Sequence, residues 1–137
     1  MAMSRHEIRE QIFRLLFSAA SHEDEDVREW ILRYLDDTLE TKLTDFERAE
    51  ILSKTTDLVD KIPELDAKID SVSEGWRVGR MGRADLSVLR LGLYEMLYDD
   101  KVPVKVAINE AVDIAKEYCS EDTPAFVNGI LAKFVGE

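Results

Sequence analysis

Residues 102–134 constrain the fold more than any other stretch, because they contain two helical repeats with a marked boundary between them. In the first repeat, apolar residues recur three or four positions apart, which places them on one face of a helix. They are Val104, Ile108, Ala111, Ala115 and Tyr118. Thr123 and Pro124 then predict a new helix start, with Thr123 as the capping residue and Pro124 in the first helical position. The stretch therefore predicts a helical hairpin.

The second helix of this hairpin carries two residues that are unusual inside an apolar repeat, Asn128 and Gly129. Glycine in a helix costs roughly 1 kcal/mol relative to alanine, and a buried amide without a partner costs roughly 1 to 3 kcal/mol. One interpretation is structural, with close helix packing at Gly129 and Asn128 bonded to the backbone or to Asn109 on the preceding helix. The other interpretation is a binding surface.

Helix start signals and apolar stripes also occur through the rest of the chain. Ser4 with Glu7 and Thr44 with Glu47 have the spacing of capping boxes, and Pro63 ends one repeat and opens another. Three further helical stripes are clear. They are Ile8, Ile12, Leu15 and Leu16 in the first, Leu65, Ile69, Val72 and Trp76 in the second, and Leu86, Leu89, Leu93 and Leu97 in the third. No strand-like alternation occurs. We therefore predict an all-α fold of about seven helices forming two packed helical bundles. Their shared core is expected to include Leu89, Leu93, Ile108, Ala111, Ile130 and Leu131.

The length and composition favour one helical domain over residues 4–137, with an N-terminal half of roughly 4–62 and a C-terminal half of roughly 63–135. With 137 residues, 45% of them apolar, the chain can bury a sizeable core. Residues 1–3 precede the first structural signal and are interpreted as start or added residues. Because the sequence has no long apolar run and no cleavable leader, we expect a cytoplasmic protein without a membrane role.

The residues that usually perform chemistry are sparse. Cys119 is the one cysteine, and His6 and His22 do not have the spacing of metal ligands. A nucleophilic cysteine needs a paired base, which neither histidine provides in the sequence. We therefore expect no catalytic residue, no metal and no cofactor.

The net charge of −11 argues against unaided, nonspecific binding to nucleic acid, because phosphate contacts drive that binding. The arginines are nevertheless clustered, first at positions 5, 9 and 14 and then at positions 77, 80, 83 and 90. We expect a two-faced electrostatic field.

A row of residues four positions apart runs along the first helix and consists of Arg5, Arg9, Phe13 and Phe17. One interpretation is a wide core face with arginines at its rim. The other is an edge of guanidinium groups and aromatic rings suited to single-stranded RNA, where charge and stacking combine.

Several blocks of the sequence resemble the NusB family of bacterial transcription antitermination factors. The clearest are residues 107–112, AINEAV, and residues 126–131, FVNGIL. Arg9-Glu10 with Leu16-Phe17 resembles the family's opening block, and residues 89–95 with Trp76 resemble its central block. The blocks follow the family's order over essentially the whole chain.

This resemblance implies a non-enzymatic, RNA-binding helical adaptor that joins the small ribosomal protein NusE and binds the boxA element of nascent, chiefly ribosomal, RNA. The adaptor then acts with RNA polymerase and other Nus factors in elongation past terminators. The positions that the resemblance assigns to RNA are Arg5, Arg9, Phe17, Asp122 and Phe126, and those assigned to NusE are Asp85 and Arg90. The chain departs from the family in having Phe17 where tyrosine is usual.

Two alternatives stay open from the sequence. A NusB-like domain also occurs in certain rRNA cytosine methyltransferases, so the chain could be an RNA-binding domain associated with such an enzyme. It could instead be a helical homodimer or scaffold without an RNA role.

Overall fold

Seven α-helices and one short 3-10 helix form the regular structure of the residues that the computed structural model describes, which are 3–19, 27–37 and 43–136. The helices are α1 (Arg5–Ala19), α2 (Val27–Asp37), α3 (Asp45–Asp60), α4 (Ile62–Val72), the 3-10 helix (Val78–Arg80), α5 (Arg83–Tyr98), α6 (Val104–Tyr118) and α7 (Thr123–Ala132). This confirms the predicted all-α class and the number of helices.

The helices group into two compact units, unit 1 within Met1–Asp60 and unit 2 within Lys61–Glu137. Unit 1 contains α1, α2 and α3, and unit 2 contains α4 to α7. The boundary between the units precedes Pro63, which lies in the first turn of α4. Among the described residues, no helix has the length and apolar character needed to cross a membrane.

Both predicted capping boxes are present in unit 1. The Ser4 backbone N–H donates to Glu7 Oε1 at 2.9 Å, and the Glu7 N–H donates to Ser4 Oγ at 3.1 Å. The Thr44 N–H donates to Glu47 Oε1 at 2.9 Å, and the Glu47 N–H donates to Thr44 Oγ1 at 3.1 Å. Each pair satisfies two N–H groups that the helix itself leaves without partners. The starts of α1 and α3 are therefore determined locally.

The core of unit 1 forms where α3 packs against α1 and α2. The predicted α1 stripe is buried, and its partners on α2 and α3 are also apolar. The buried residues include Ile8, Ile12, Leu15, Leu16, Ile31, Leu35, Ile51 and Leu58. Burying each such side chain contributes roughly 1.5 to 3 kcal/mol.

In unit 2, α5 packs against α4, α6 and α7. The expected core residues Leu89, Leu93, Ala111, Ile130 and Leu131 are buried. The expectation that Ile108 belongs to this core was wrong, because Ile108 is only half-buried and Val104 is exposed. The buried stripe of α6 is rotated relative to the predicted one and consists of Ala107, Ala111, Ile114 and Ala115.

The interpretation of Gly129 as a close-packing site was also wrong. A Cβ built at Gly129 meets no heavy atom within 4 Å, and Asn128 and Asn109 are both exposed. Neither asparagine therefore carries the cost of a buried amide. The glycine that does permit close packing is Gly92 on α5, where a Cβ would stand 3.0 Å from the Ala111 Cβ.

The predicted start of α7 differs by one residue from the observed start. Asp122 is the capping position and makes no side-chain capping hydrogen bond, while Thr123 is the first helical residue. The Thr123 hydroxyl instead donates to Asp85 Oδ1 on α5 at 3.2 Å. The Thr123 hydroxyl thus donates to a distant residue and does not cap α7, contrary to the prediction from the local sequence pattern.

Candidate functional site

A groove in unit 2 brings together most of the positions assigned to function in the C-terminal half of the sequence. Its first cavity, of about 470 Å³, is lined by Trp76, Asp85, Ser120, Asp122, Thr123 and Phe126. A second cavity, of about 270 Å³, shares Trp76 and Phe126 and continues along α7 to Gly129 and Lys133. We call these two cavities the Trp76–Phe126 groove.

Trp76 reaches the groove because α4 ends before it. The predicted apolar repeat continued to Trp76, but the helix stops at Val72 and the indole is 51% exposed. Gly75 has a φ of 70°, a left-handed conformation that residues with a side chain rarely adopt. The chain therefore turns at Gly75 and presents Trp76 outside the helix. The Lys133 ammonium donates to the Val72 carbonyl at 2.7 Å and ties α7 to this turn.

Asp85 holds one side of the first cavity through hydrogen bonds within the chain. It accepts from the Thr123 hydroxyl at 3.2 Å, and Ser120 Oγ lies 3.1 Å from the same Thr123 oxygen. Because the Thr123 proton points to Asp85, Ser120 is the donor in the second contact. This chain of hydrogen bonds fixes the turn between α6 and α7 relative to the first turn of α5.

Cys119 belongs to the same network. Burial, the negative charge of Asp85 and a hydrogen bond to Asp85, in that order of size, together raise the pKa of its thiol to about 12. The thiol therefore remains protonated at neutral pH and is a poor nucleophile. The groove offers aromatic faces, carboxylates and hydroxyl groups, which suit binding and do not constitute a catalytic set.

The two positions assigned to NusE by the resemblance lie in different surroundings. Asp85 faces the groove, whereas Arg90 forms a two-pronged ion pair with Asp66 on α4. Its Nε and Nη2 donate to the two carboxylate oxygens at 2.8 and 2.7 Å. Both side chains are mostly buried, so Arg90 already contributes to holding α4 against α5.

The positions assigned to RNA in unit 1 are less accessible than the sequence suggested. Arg5 is exposed but makes a two-pronged ion pair with Glu50, in which one N–O distance is 2.9 Å. Arg9 is buried, with 5% of its surface exposed. Phe17 is partly exposed at the end of the row, and its ring centroid lies 6.3 Å from that of buried Phe13. The burial of Arg9 and Phe13 fits the interpretation of this row as a core face, and the RNA interpretation of exposed Arg5 and Phe17 stays a prediction.

Trp76 is the groove residue whose exposure the sequence analysis missed. The signal for it was present, because Gly75 immediately precedes Trp76 and Gly79 and Gly82 follow it, so that glycines interrupt the helical repeat on both sides. A repeat that is interrupted by glycine predicts a turn, and a tryptophan in a turn need not lie in the core.

Comparison with known proteins reveals similarity over nearly the whole chain. A model of the NusB family matches residues 6–136. The transcription antitermination protein NusB of Agathobacter rectalis is 44% identical over 132 residues, which are 96% of this chain and 99% of that protein. The NusB protein of Lachnoclostridium phytofermentans is 45% identical over 134 residues, 97% of this chain and 99% of that protein. The solved structure of T. maritima NusB has a TM-score of 0.88 at 30% identity, covering 100% of this chain and 94% of that one.

Proposed function

The chain belongs to the NusB family of transcription antitermination proteins, and we propose that it acts as an adaptor that pairs with NusE and binds boxA-type single-stranded RNA. The RNA is that of nascent, chiefly ribosomal, transcripts. The adaptor joins RNA polymerase in an elongation complex with other Nus factors. The family is not enzymatic, and the protonated Cys119 thiol agrees with a binding role.

The observation that supports this proposal most directly is the composition of the groove. Asp122 and Phe126, assigned to RNA, and Asp85, assigned to NusE, line one cavity in unit 2. An adaptor that binds RNA better in the presence of a protein partner needs the two contact areas to lie close together. The shared cavity meets that requirement.

The charge of the chain supports a partner that is basic. A net charge of −11 repels RNA phosphates and attracts a positively charged protein. We propose that NusE neutralises part of this charge when it binds, so that RNA affinity is low for the chain alone and higher for the complex. In this arrangement the role of Asp85 is to face NusE while it keeps its hydrogen bond to Thr123.

The RNA contacts combine stacking with contacts to phosphates, as is usual for single strands. The partly exposed rings of Phe126 and Phe17 are the stacking faces in this proposal, and Arg5 is a phosphate contact. Arg9 supports the edge of α1 from a buried position. Asp122 repels phosphates, so any contact that it makes with RNA is with a hydrogen-bond donor of a base or sugar.

The proposal is tested by fluorescence anisotropy titration of boxA-like and scrambled single-stranded RNA, each with the chain alone and with the chain bound to NusE. We expect preference for boxA-like RNA and tighter binding by the complex. Equal affinity of the complex for the two RNAs would contradict a specific adaptor role and would favour a scaffold without one.

The protein interface has its own test, because calorimetric titration measures NusE binding without RNA. Truncating one member of a desolvated interfacial charge pair costs roughly 2 to 5 kcal/mol, whereas a charge at the rim costs far less. If Asp85→Ala and Arg90→Ala both bind NusE as tightly as the parent chain, NusE binds another face.

A further inference from the structure

The connection between α4 and α5 presents an aromatic ring and two guanidinium groups that the proposed function does not yet use. Trp76 is 51% exposed, and Arg77 and Arg80 are both exposed. Arg83, at the start of α5, is exposed as well. These three arginines belong to the second arginine cluster of the sequence, and Arg77 directly follows Trp76 of the Trp76–Phe126 groove.

The backbone of this connection is held in place from both sides. Asp70 Oδ1 on α4 accepts the Val78 N–H at 2.7 Å, and Met81 is buried after the 3-10 helix. The Arg80 N–H donates to the Arg77 carbonyl at 2.9 Å, which closes the 3-10 turn. Arg77 directly precedes the 3-10 helix and Arg80 is its last residue, so both arginines lie in this one short turn.

Both guanidinium groups are available to a ligand. Neither Arg77 nor Arg80 forms an ion pair with any residue in the described parts of the chain. Arg5 in unit 1, by contrast, is already paired with Glu50, and Arg9 is buried. Arg77 and Arg80 can therefore bind a phosphate without breaking an ion pair within the described parts of the chain. Arg5 would have to give up its pairing with Glu50, and Arg9 would have to leave its buried position.

We propose that Trp76, Arg77 and Arg80 form a second contact surface for single-stranded RNA, in which Trp76 stacks on a base and the two arginines contact phosphates. The combination of an exposed aromatic face with adjacent cationic groups is the chemistry that binds single strands. This inference rests on the proposed RNA-binding function and extends it. Trp76 lines both cavities together with Phe126, so the new surface continues the one that contains Phe126.

A basic protein partner fits this surface less well than RNA does. NusE, as the proposed partner, carries positive charge, and two guanidinium groups without acidic partners would repel it. The carboxylate that suits a basic partner is Asp85, which lines the first cavity of the groove together with Trp76. Charge therefore favours RNA at Arg77 and Arg80 and a basic protein at Asp85.

The first test measures the salt dependence of RNA binding by the chain in complex with NusE. Arg77→Gln and Arg80→Gln should each flatten the plot of log K against log salt by about 0.7 unit, the value for one phosphate contact on a single strand. Lys101→Gln is the matched control, because Lys101 is an exposed cation of unit 2 in the turn between α5 and α6. The control should leave the slope unchanged, and an equal loss in the control would overturn the proposal.

The second test concerns stacking. Trp76→Ala should weaken RNA binding about 5- to 150-fold, which corresponds to the loss of one stacked base, while Trp76→Phe should retain most of the affinity. Binding of RNA should also quench the fluorescence of exposed Trp76, whereas the other tryptophan, Trp30, is buried. Because Trp76 is half-exposed, its replacement should leave the thermal midpoint of the chain nearly unchanged.

The outcomes separate this inference from the proposed function. If the parent complex binds RNA and all four variants at positions 76, 77 and 80 bind it equally well, this surface is wrong and the proposed function stands. If the variants weaken NusE binding in calorimetry and leave RNA binding intact, the surface is a protein contact. A parent complex that binds no RNA would overturn both.

Discussion

Gly92 on α5 lies so close to Leu131 on α7 that a Cβ at position 92 would stand 2.7 Å from the Leu131 Cδ1 atom. On α6, the Ala111 Cβ would stand only 3.0 Å from the same added atom. The absent side chain therefore lets three helices of unit 2 meet. Asp85 is on α5 and Phe126 is on α7, so two of the helices that meet at Gly92 also carry lining residues of the groove.

Gly92→Ala should destabilise the chain by roughly 1 to 3 kcal/mol, because an added methyl group in a well-packed core forces its neighbours apart. Leu131 could move the end of its flexible side chain, but the Ala111 Cβ is fixed to the backbone of α6. The measurement is urea-induced unfolding followed by circular dichroism. Unchanged stability would show that α6 shifts at little cost.

Gly129→Ala is the matched control for Gly92→Ala, since both glycines lie inside helices of unit 2. A Cβ at position 129 meets nothing within 4 Å, so only the higher helix propensity of alanine remains. We expect Gly129→Ala to stabilise the chain by roughly 0.5 to 1 kcal/mol. A loss of stability would restore the interpretation of Gly129 as a packing site.

The Arg90–Asp66 ion pair should contribute to the stability of unit 2 independently of any partner. Replacing Arg90 by Ala removes two hydrogen bonds to a carboxylate that is mostly buried, which should cost roughly 1.5 to 3 kcal/mol. Arg90→Lys keeps the charge but loses the two-pronged geometry. A double-mutant cycle with Asp66→Ala isolates the pair, and additive losses would mean that the two side chains do not interact.

The same pair affects how an effect of Arg90 on NusE binding should be interpreted. Asp66→Asn leaves Arg90 in place and weakens its anchor. If Asp66→Asn and Arg90→Ala reduce NusE affinity equally, Arg90 acts by positioning α5 against α4. If only Arg90→Ala reduces the affinity, Arg90 contacts NusE directly.

The Cys119 thiol should react slowly with alkylating reagents at pH 8 to 9, because its pKa is raised to about 12. The ordinary pKa of a cysteine thiol is 9.0, so between pH 9 and about pH 12 the folded chain keeps a proton that the unfolded chain loses. The free energy of unfolding should therefore decrease as the pH rises from 9 to about 12. Asp85→Asn should lower the pKa and accelerate the reaction, since the charge of Asp85 contributes to the shift. Asp122→Asn is the control, and an equal acceleration there would contradict the assignment to Asp85.

The capping box at α3 should make unit 1 sensitive to acid. Hydrogen bonds from the backbone N–H groups of Thr44 and Met3 lower the pKa of Glu47 below its ordinary value of 4.5. The stabilisation is complete above pH 4.5 and is lost as the pH falls through the lowered value. Glu47→Gln keeps an acceptor without the charge, so its unfolding free energy should depend less on pH in this range. Equal pH profiles of the two proteins would exclude this contribution.

The features predicted correctly from the sequence are those that depend on neighbours in the chain. The capping boxes at Ser4 and Thr44 need residues only three positions apart, and the helix number follows from repeats of similar range. Each capping box is complete within four residues, so it forms without contributions from distant parts of the chain. The class of the fold was therefore predictable.

The features that were missed depend on residues far apart in the sequence. Gly92 and Gly129 look alike locally, and only the approach of α7 to α5 distinguishes the packed glycine from the open one. Thr123 has the local signature of a cap, but Asp85, 38 positions away, takes its hydroxyl proton. Arg9 lies in a row with exposed Arg5, yet it is buried. Spacing along one helix does not specify which face a neighbouring helix covers.

The final prediction concerns Arg5, whose guanidinium binds a phosphate less favourably while it is paired with Glu50, because the pair uses two of its donors and neutralises its charge. An exposed ion pair is worth roughly 0.2 to 1 kcal/mol, so Glu50→Gln should raise the RNA affinity of the NusE complex by about 1.4- to fivefold. Arg5→Gln should lower that affinity and flatten the salt dependence by about 0.7 unit. In the double variant, Glu50→Gln should add almost nothing, because the arginine that it releases is absent.

Arg48→Gln is the charge-matched control, since Arg48 pairs with Asp36 at 2.6 Å in the same unit. A gain of affinity from Glu50→Gln that persists without Arg5 would show that Glu50 repels RNA directly, and no gain in either background would place the RNA away from this edge of α1.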